Sequence, residues 1–450
     1  MASRPVSRLL ALALAAALAG ACGMGREDAP GSEGARPRRI ILISLDTVRP
    51  DHLGAYGYER PTSPAIDRFA ATAVVFDDVV AQASATLASH ASILTSRIPR
   101  HHGARFAERQ ALGADVPTLA GLLREAGYRT VAFTGGGQMD RRFGLDRGFD
   151  EYQETRLNQN FRETAGLGIQ WLRANREERV FLFLHTYEPH HPYVARGLPG
   201  LEGDYDGPLP PVIPAELLKE ISFGSREIDE RDLAHIVNAY DNDLRSTDGG
   251  FHRLHRFLRR QGFLDDALVV LTSDHGEELG EHGAVGWHGH TLYDELLRVP
   301  LIVKLPGGAH GGTRVAASVR SLDIAPTILE LAGVPIPEGF QGVSLLPHLA
   351  PGASPADLPA LSELDAAPPR VSYRQRPWKL DGARLFHLEG DPGESRDLAS
   401  AESRRLEALD QAAEEWLGRR PPPPAERVEL EDSTLEQLRA LGYISRQEQP

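Results

Sequence analysis

Four side chains of this sequence are of kinds that can act together around a bound anion: Asp46, Thr86, Asp274 and His275. Asp46 closes the apolar run "IILISLD", and Asp274 and His275 close "DALVVLTSDHG". Thr86 opens "TLASHASILTSR", which the spacing predicts as a helix over residues 86–97 with Leu87, His90, Ala91 and Leu94 on one face. A hydroxyl at a helix N-terminus lies in the positive end of the helix dipole, which stabilises an alkoxide or a bound anion. Two carboxylates and an imidazole are hard or borderline ligands, and one divalent cation held by them would lower the pKa of the Thr86 hydroxyl. Such a ligand set does not select sharply among Mn²⁺, Mg²⁺, Ca²⁺ and Zn²⁺. Each residue also has a plainer use: a threonine caps helices, a carboxylate closes turns, and a strand-end histidine is often only hydrogen-bonded. Their combination is what points to an activated oxygen nucleophile.

Residues so far apart in sequence need a scaffold that brings them to one edge. The runs "IILISLD", "YRTVAF", "RVFLFLH" from Arg179 and "DALVVLTSDHG" from Asp266 are apolar without alternation, as strands buried on both faces are. "PTLAGLLREAG" and "SLDIAPTILELAG" read as helices stopped by Gly127 and Gly333. Strands alternating with helices predict an α/β fold, a large mostly parallel central sheet with helices on both faces. Ligands of such sheets bind beyond the carboxyl ends of the strands, where Asp46, His185, Asp274 and His275 fall. This main domain is expected over residues 39–349. The Pro- and Ala-rich "PGASPADLPALSELDAAPPR" reads as a linker, with a smaller C-terminal α+β subdomain and tail over 350–450 and an extended connector at Pro421 to Pro424.

Composition sets the outer bounds. With 450 residues, 41% of them hydrophobic, the chain can bury a large core. Forty-nine Lys and Arg against 63 Asp and Glu give a net charge of −14, with no basic stripe to meet a phosphate backbone, so nucleic acid is excluded as the expected partner. The N-terminus has Arg4 and Arg8, an apolar run from Leu9 to Ala21, and then Cys22. That run is too short to span a bilayer and reads as the core of a signal peptide over residues 1–21. The Ala-Gly-Ala before Cys22 resembles a bacterial lipobox; the alternative is an ordinary small-residue cleavage site. The expectation is an exported protein of the periplasm or cell envelope, held to the membrane by a lipid anchor at Cys22. Cys22 is the only cysteine, so no internal disulfide can form. Residues 22–38 read as a flexible tether.

Seven collinear blocks between Ile40 and Ala399 resemble the sulfatase family of the alkaline phosphatase superfamily: "LDTVRPDHLGAYGY", "TLASHASILTSRIPRHHG", "EPHHPY", "TSDHGEELGEHG", "TLYDELLRVPLIV", "LDIAPTILELAG" and "LFHLEGDPGESRDLA". The resemblance implies that Asp46, Asp274 and His275 are metal ligands and that Thr86 is both ligand and nucleophile. It implies that His190 faces the leaving group. As substrate-binding candidates it implies His288, with His290 the alternative, His102 before Gly103, and His90 and Arg97 from the Thr86 block.

The departures from the family pattern carry as much information. Sulfatases convert a Cys or Ser to formylglycine within the frame Cys/Ser-x-Pro-x-Arg, which here reads Thr86, Leu87, Ala88, Ser89, His90. Threonine cannot give that aldehyde, so no formylglycine is expected. Thr47 stands where a second metal aspartate is usual, and "FTGGGQM" (Phe133 to Met139) replaces the second signature. An unmodified threonine resembles the lipoteichoic acid synthase and phosphoethanolamine transferase branch, which passes a phosphoryl group through phosphothreonine. The expected activity is therefore a metal-dependent hydrolase or transferase of an anionic ester, a phosphodiester or phosphonate ester, through a covalent Thr86 intermediate. Its substrate could be a phospholipid head group, a glycan or a small ester. The alternatives are sulfate ester hydrolysis without formylglycine, a non-catalytic lipoprotein binding module, and a two-metal phosphatase drawing on His282 and His288.

Overall fold

The computed structural model describes residues 36–155, 160–350, 353, 355–366, 369–424 and 426–444. The expected signal peptide, Cys22 and the tether up to residue 35 lie outside them.

The central sheet has eight strands, in the spatial order Arg314–Arg320, Val74–Val80, Leu301–Lys304, Ala267–Thr272, Arg39–Leu45, Val180–Thr186, Arg129–Thr134 and Glu151–Glu154. Leu301–Lys304 runs antiparallel to both neighbours, and the other neighbouring strands pair in parallel. The unbroken apolar runs are explained by burial on both faces. In Arg39–Leu45, Ile40 and Leu42 enter the core on one side of the sheet, while Ile41, Ile43 and Leu45 enter the core on the other. Phe181 and Phe183 alternate with Val180, Leu182 and Leu184 in the same way.

One core is closed by the helices Thr86–Thr95, Leu119–Glu125 and Ile324–Ala332. The other is closed by Pro64–Ala70, Phe161–Ala174 and the 31-residue Glu230–Arg260. The last of these, not singled out in the sequence, begins in a capping box between Asp229 and Asp232. Among the described residues no helix is long and apolar enough to cross a membrane.

A second, four-stranded antiparallel sheet consists of Ala360–Glu363, Val371–Gln375, Trp378–Asp381 and Arg384–His387. Helix Ser403–Gly418 packs on it, and Leu361, Tyr373, Leu385 and Trp416 share a core with Ile98 and Leu322 of the main body. Part of the linker-like run is thus a strand. Its Ala360 and Leu361 are buried, and burial outweighs the Pro-rich composition around them.

The second sheet is tied to the short helix Asp294–Leu297 of the main body by a buried charge cluster. Lys379 is fully buried with Nζ 2.8 Å from Asp294 Oδ1 and 2.7 Å from Glu394 Oε1. Removing one partner of such a cluster leaves uncompensated buried charge, so Lys379→Met is expected to destabilise the fold by about 3–5 kcal/mol. Urea unfolding measures this; a loss below about 1 kcal/mol would show that the carboxylates find other partners.

Candidate active site

The carboxyl edge of the central sheet collects the site. Asp46 follows directly on Arg39–Leu45, and Asp274 and His275 follow shortly on the adjacent Ala267–Thr272. All three have no exposed surface. Each offers a ligand atom, and these atoms lie within 4.8 Å of one another. Thr47, next in the chain, holds a left-handed backbone with φ of 59°, a strained conformation for a β-branched residue.

Thr86 faces this cluster. The helix N-cap is Ala85, so Thr86 is the first helical residue and its hydroxyl does not cap its own helix. Gln138 supplies a cap instead, its Oε1 accepting from Leu87 N–H at 3.0 Å. Thr86 Oγ1 lies 3.4 Å from Asp46 Oδ2 and 3.3 Å from His275 Nε2. The helix stops at Thr95 because Ser96 turns left-handed, short of the predicted residue 97.

The donor set fits a cation. Asp46 Oδ1 and Asp274 Oδ2 are buried without a hydrogen-bond partner. Burial, and then the charges of Asp274 and Glu277, push the Asp46 carboxyl well above its ordinary value. Burial also opposes ionisation of Asp274, yet His275 and His90 hold it below the usual value. A cation between two such carboxylates removes their repulsion. His275 donates Nδ1–H to the Gly276 carbonyl at 2.8 Å, which leaves the Nε2 lone pair facing the site. His185 accepts at Nδ1 from Gly135 N–H and donates Nε2–H to Asp46 Oδ2, at 3.2 and 3.3 Å, fixing that carboxylate.

His190 and His288 complete the cleft. His190 donates Nδ1–H to the His191 carbonyl at 2.7 Å, and its ring lies 4.9 Å from that of His288. His288 Nδ1 is 2.8 Å from Glu277 Oε1, and its ring lies 4.5 Å from that of His275. Burial, followed by neighbouring imidazoles, holds both rings well below the usual histidine value. A 340 Å³ cavity lined by Asn160, Glu188, His190, His191, Arg196 and Leu441 adjoins them.

The structure thus brings together Asp46, Thr86, His190, Asp274, His275 and His288. His90 lies beneath this group, donating Nδ1–H to the Thr86 carbonyl at 2.8 Å and accepting from Ser44 Oγ at 2.9 Å, so both ring nitrogens are used within the scaffold. His102 is likewise saturated, accepting from Ala104 N–H at 3.1 Å and donating to the Ala88 carbonyl at 3.0 Å. Arg97 sits beyond the far end of the Thr86 helix beside Arg420, about 15 Å along a ten-residue helix from Thr86. His290 pairs with Glu278 at 3.0 Å and is a third exposed.

Sequence reasoning missed Glu277, Gln138 and above all Tyr443, whose hydroxyl lies 3.1 Å from Thr86 Oγ1, 3.1 Å from His190 Nε2 and 3.1 Å from His288 Nε2. Glu277 stood inside "TSDHGEELGEHG" and could have been found there. Nothing near Tyr443 in sequence signals a site.

The sulfatase family profile matches residues 38–334. The choline-sulfatase of Rhizobium meliloti is 33% identical over 233 residues, 47% of this chain and 44% of that protein, so the chain spans less than half of that relative's length. The N-acetylglucosamine-6-O-sulfatase of Bacteroides thetaiotaomicron is 26% identical over 449 residues, covering 79% of this chain and 78% of that one. Among solved structures, the phosphonate monoester hydrolase of Agrobacterium radiobacter superposes with a TM-score of 0.67 at 20% identity, covering 88% of this chain and 99% of that one. The likeness to that hydrolase is one of fold, whereas the profile match runs from the first sheet strand through helix Ile324–Ala332 and includes Asp46, Thr86, Asp274 and His275. This chain belongs to the sulfatase family of the alkaline phosphatase superfamily.

Proposed function

We propose that this protein cleaves an anionic ester, a phosphodiester or phosphonate ester ahead of a sulfate ester, through a covalent intermediate on Thr86. The observation that carries this reading is the Thr86 hydroxyl: buried, free of any capping duty, and aimed at a carboxylate pair with unpaired oxygens. Asp46, Asp274, His275 and Thr86 would hold a divalent cation, which when bound supplies charge neutralisation and a more acidic threonine hydroxyl. Thr86, its hydroxyl proton released to solvent, attacks phosphorus in line through Oγ1 as the ester P–O bond to the leaving oxygen breaks. The first-turn N–H groups of helix Thr86–Thr95 favour the anionic oxygens. His190 acts on the leaving oxygen. As a neutral ring bonded through Nδ1 it presents a lone pair at Nε2, and the bound anion raises its proton affinity so that the imidazolium can deliver a proton. Water or an acceptor alcohol then attacks phosphorus and regenerates Thr86.

Sulfate ester hydrolysis is the second reading, favoured by the names of the choline-sulfatase and N-acetylglucosamine-6-O-sulfatase relatives. Peptide mapping of residue 86 in protein quenched during turnover of an aryl phosphodiester tests the first. A phosphoryl mass on that peptide supports it; an unmodified peptide at steady state, with Thr86→Ala still active, overturns it.

The protein is further proposed to be exported and lipid-anchored, on the strength of Arg4, Arg8, the apolar run and Cys22. In cells fed labelled palmitate the wild-type chain should take up label and Cys22→Ser should not. Unlabelled, soluble wild-type protein would remove the anchor from this reading.

A further inference from the structure

Helix Asp432–Ala440 and the residues after it are built to deliver one side chain into the cleft. Leu435, Leu438 and Leu441 are buried beneath the segment. Gln437 Oε1 accepts from Gly137 N–H at 2.9 Å, and Thr434 Oγ1 donates to Asp140 Oδ2 at 2.5 Å. His191 Nε2 lies 2.9 Å from the Leu441 carbonyl. The receiving loop is shaped for this: a Cβ on Gly136 would fall 2.6 Å from Gln437 Oε1.

The helix ends in a left-handed cap, with Gly442 at φ 77° and Tyr443 N–H donating to the Leu438 carbonyl at 2.9 Å. A Cβ on Gly442 would meet Ala215 Cβ at 3.0 Å and His191 Nε2 at 3.2 Å, so only glycine makes this turn without strain. The turn sends the Tyr443 ring against Phe106, centroids 5.7 Å apart, and its hydroxyl onto Thr86, His190 and His288.

We propose that the C-terminal segment Asp432–Ile444 is an intramolecular occupant of the cleft, with the Tyr443 hydroxyl standing inside the volume that the substrate's anionic group must fill. This rests on the assignment of Thr86 as nucleophile. An in-line attack needs the phosphorus or sulfur about 3–3.5 Å from Oγ1. The Tyr443 oxygen already lies 3.1 Å from that atom and 3.1 Å from the inward-facing Nε2 of each histidine, close enough to donate its one proton to either. Two groups cannot share that volume, so substrate and Tyr443 compete, and each turnover requires the segment to lift. The apparent affinity for any anion is reduced by the fraction of molecules whose cleft is filled.

The test uses the full-length protein with Mn²⁺ and inorganic phosphate as the probe, read by calorimetry and by trypsin cleavage at Arg439. Tyr443→Ala is expected to lower the phosphate Kd about tenfold, with Tyr443→Phe between it and wild type. Saturating phosphate should speed cleavage at Arg439 in the wild type, because displacing the segment exposes the bond. An unchanged phosphate Kd in Tyr443→Ala, or cleavage at Arg439 indifferent to phosphate, overturns the proposal. A Tyr443→Phe variant that loses turnover while its phosphate Kd stays at the wild-type value also overturns it, making the phenol a catalytic group instead. Tighter phosphate binding in Tyr443→Ala without turnover of any ester would uphold the occupant and reject the function proposed for Thr86.

Discussion

Thr86→Ala is expected to lower kcat for an aryl phosphodiester by roughly 10³-fold or more, the scale on which removing a covalent nucleophile acts. The substitution is clean because Thr86 is not the N-cap of its helix. Ala85 holds that place without a side-chain bond, so no capping hydrogen bond is lost, and alanine is a better helix former than threonine. The variant should keep its circular dichroism and thermal midpoint while losing turnover. Thr86→Ser, which retains the hydroxyl, should keep a measurable part of the rate. The same pair separates phosphoryl from sulfuryl chemistry. A formylglycine hydrate expels sulfate by collapse of a hemiacetal, whereas a sulfated threonine has no such exit and waits for water at sulfur. A phosphothreonine is open to in-line attack at phosphorus. Phosphodiesters or phosphonate monoesters should therefore be turned over faster than aryl sulfates. Wild-type rates in Thr86→Ala would end the covalent reading, and a clear preference for aryl sulfate would put sulfate hydrolysis in its place.

The clustering of Asp46, Asp274 and His275 was legible because it follows from sheet geometry. A strand buried on both faces carries its charged side chains at its two ends, and ligands of such sheets gather beyond the carboxyl ends, where Asp46, Asp274 and His275 stand while Arg39 marks the amino end. Thr86 was legible for a similar reason, since a helix N-terminus has a direction. Arg97 and His102 stood in the same sequence block, but nearness in sequence along a helix leads away from its N-terminus. Both are carried to the far side of the helix or into its packing. His90 was read on an apolar helix face and does lie inward, where the scaffold consumes both of its nitrogens.

Tyr443 was not legible at all. It reaches Thr86 across 357 positions, through a cap whose effect depends on where the whole helix docks, and no local pattern of residues encodes that docking. The linker reading of residues 351–370 missed the strand Ala360–Glu363 through the opposite error. Proline and alanine content describes local preference, while Ala360–Glu363 is held by pairing with Val371–Gln375 and by the burial of Leu361.

Asp274→Asn should cost at least about 100-fold in turnover, since losing even an outer hydrogen-bond partner of a metal ligand can cost that much. Stability gives an independent reading of opposite sign in the two metal states. Without metal, Asp46 and Asp274 are buried side by side, and the Asp46 carboxyl holds its proton more tightly folded than unfolded. Such a group favours the native state below its unfolded value, near 3.8, and that contribution is lost as pH rises through the raised folded value. Metal-free wild type should therefore lose stability across that window. Asp274→Asn removes one of the two charges at nearly constant shape, so in chelator it should be at least as stable as wild type and less sensitive to pH. Adding Mn²⁺ reverses the order, because binding to the native state alone stabilises it by RT ln(1 + [L]/Kd). The wild-type melting midpoint should climb with Mn²⁺ concentration while that of Asp274→Asn stays nearly flat. Equal climbs in both proteins would place the cation elsewhere, and full activity in an exhaustively chelated wild type would leave Thr86 to be activated by Asp46 and His275 alone.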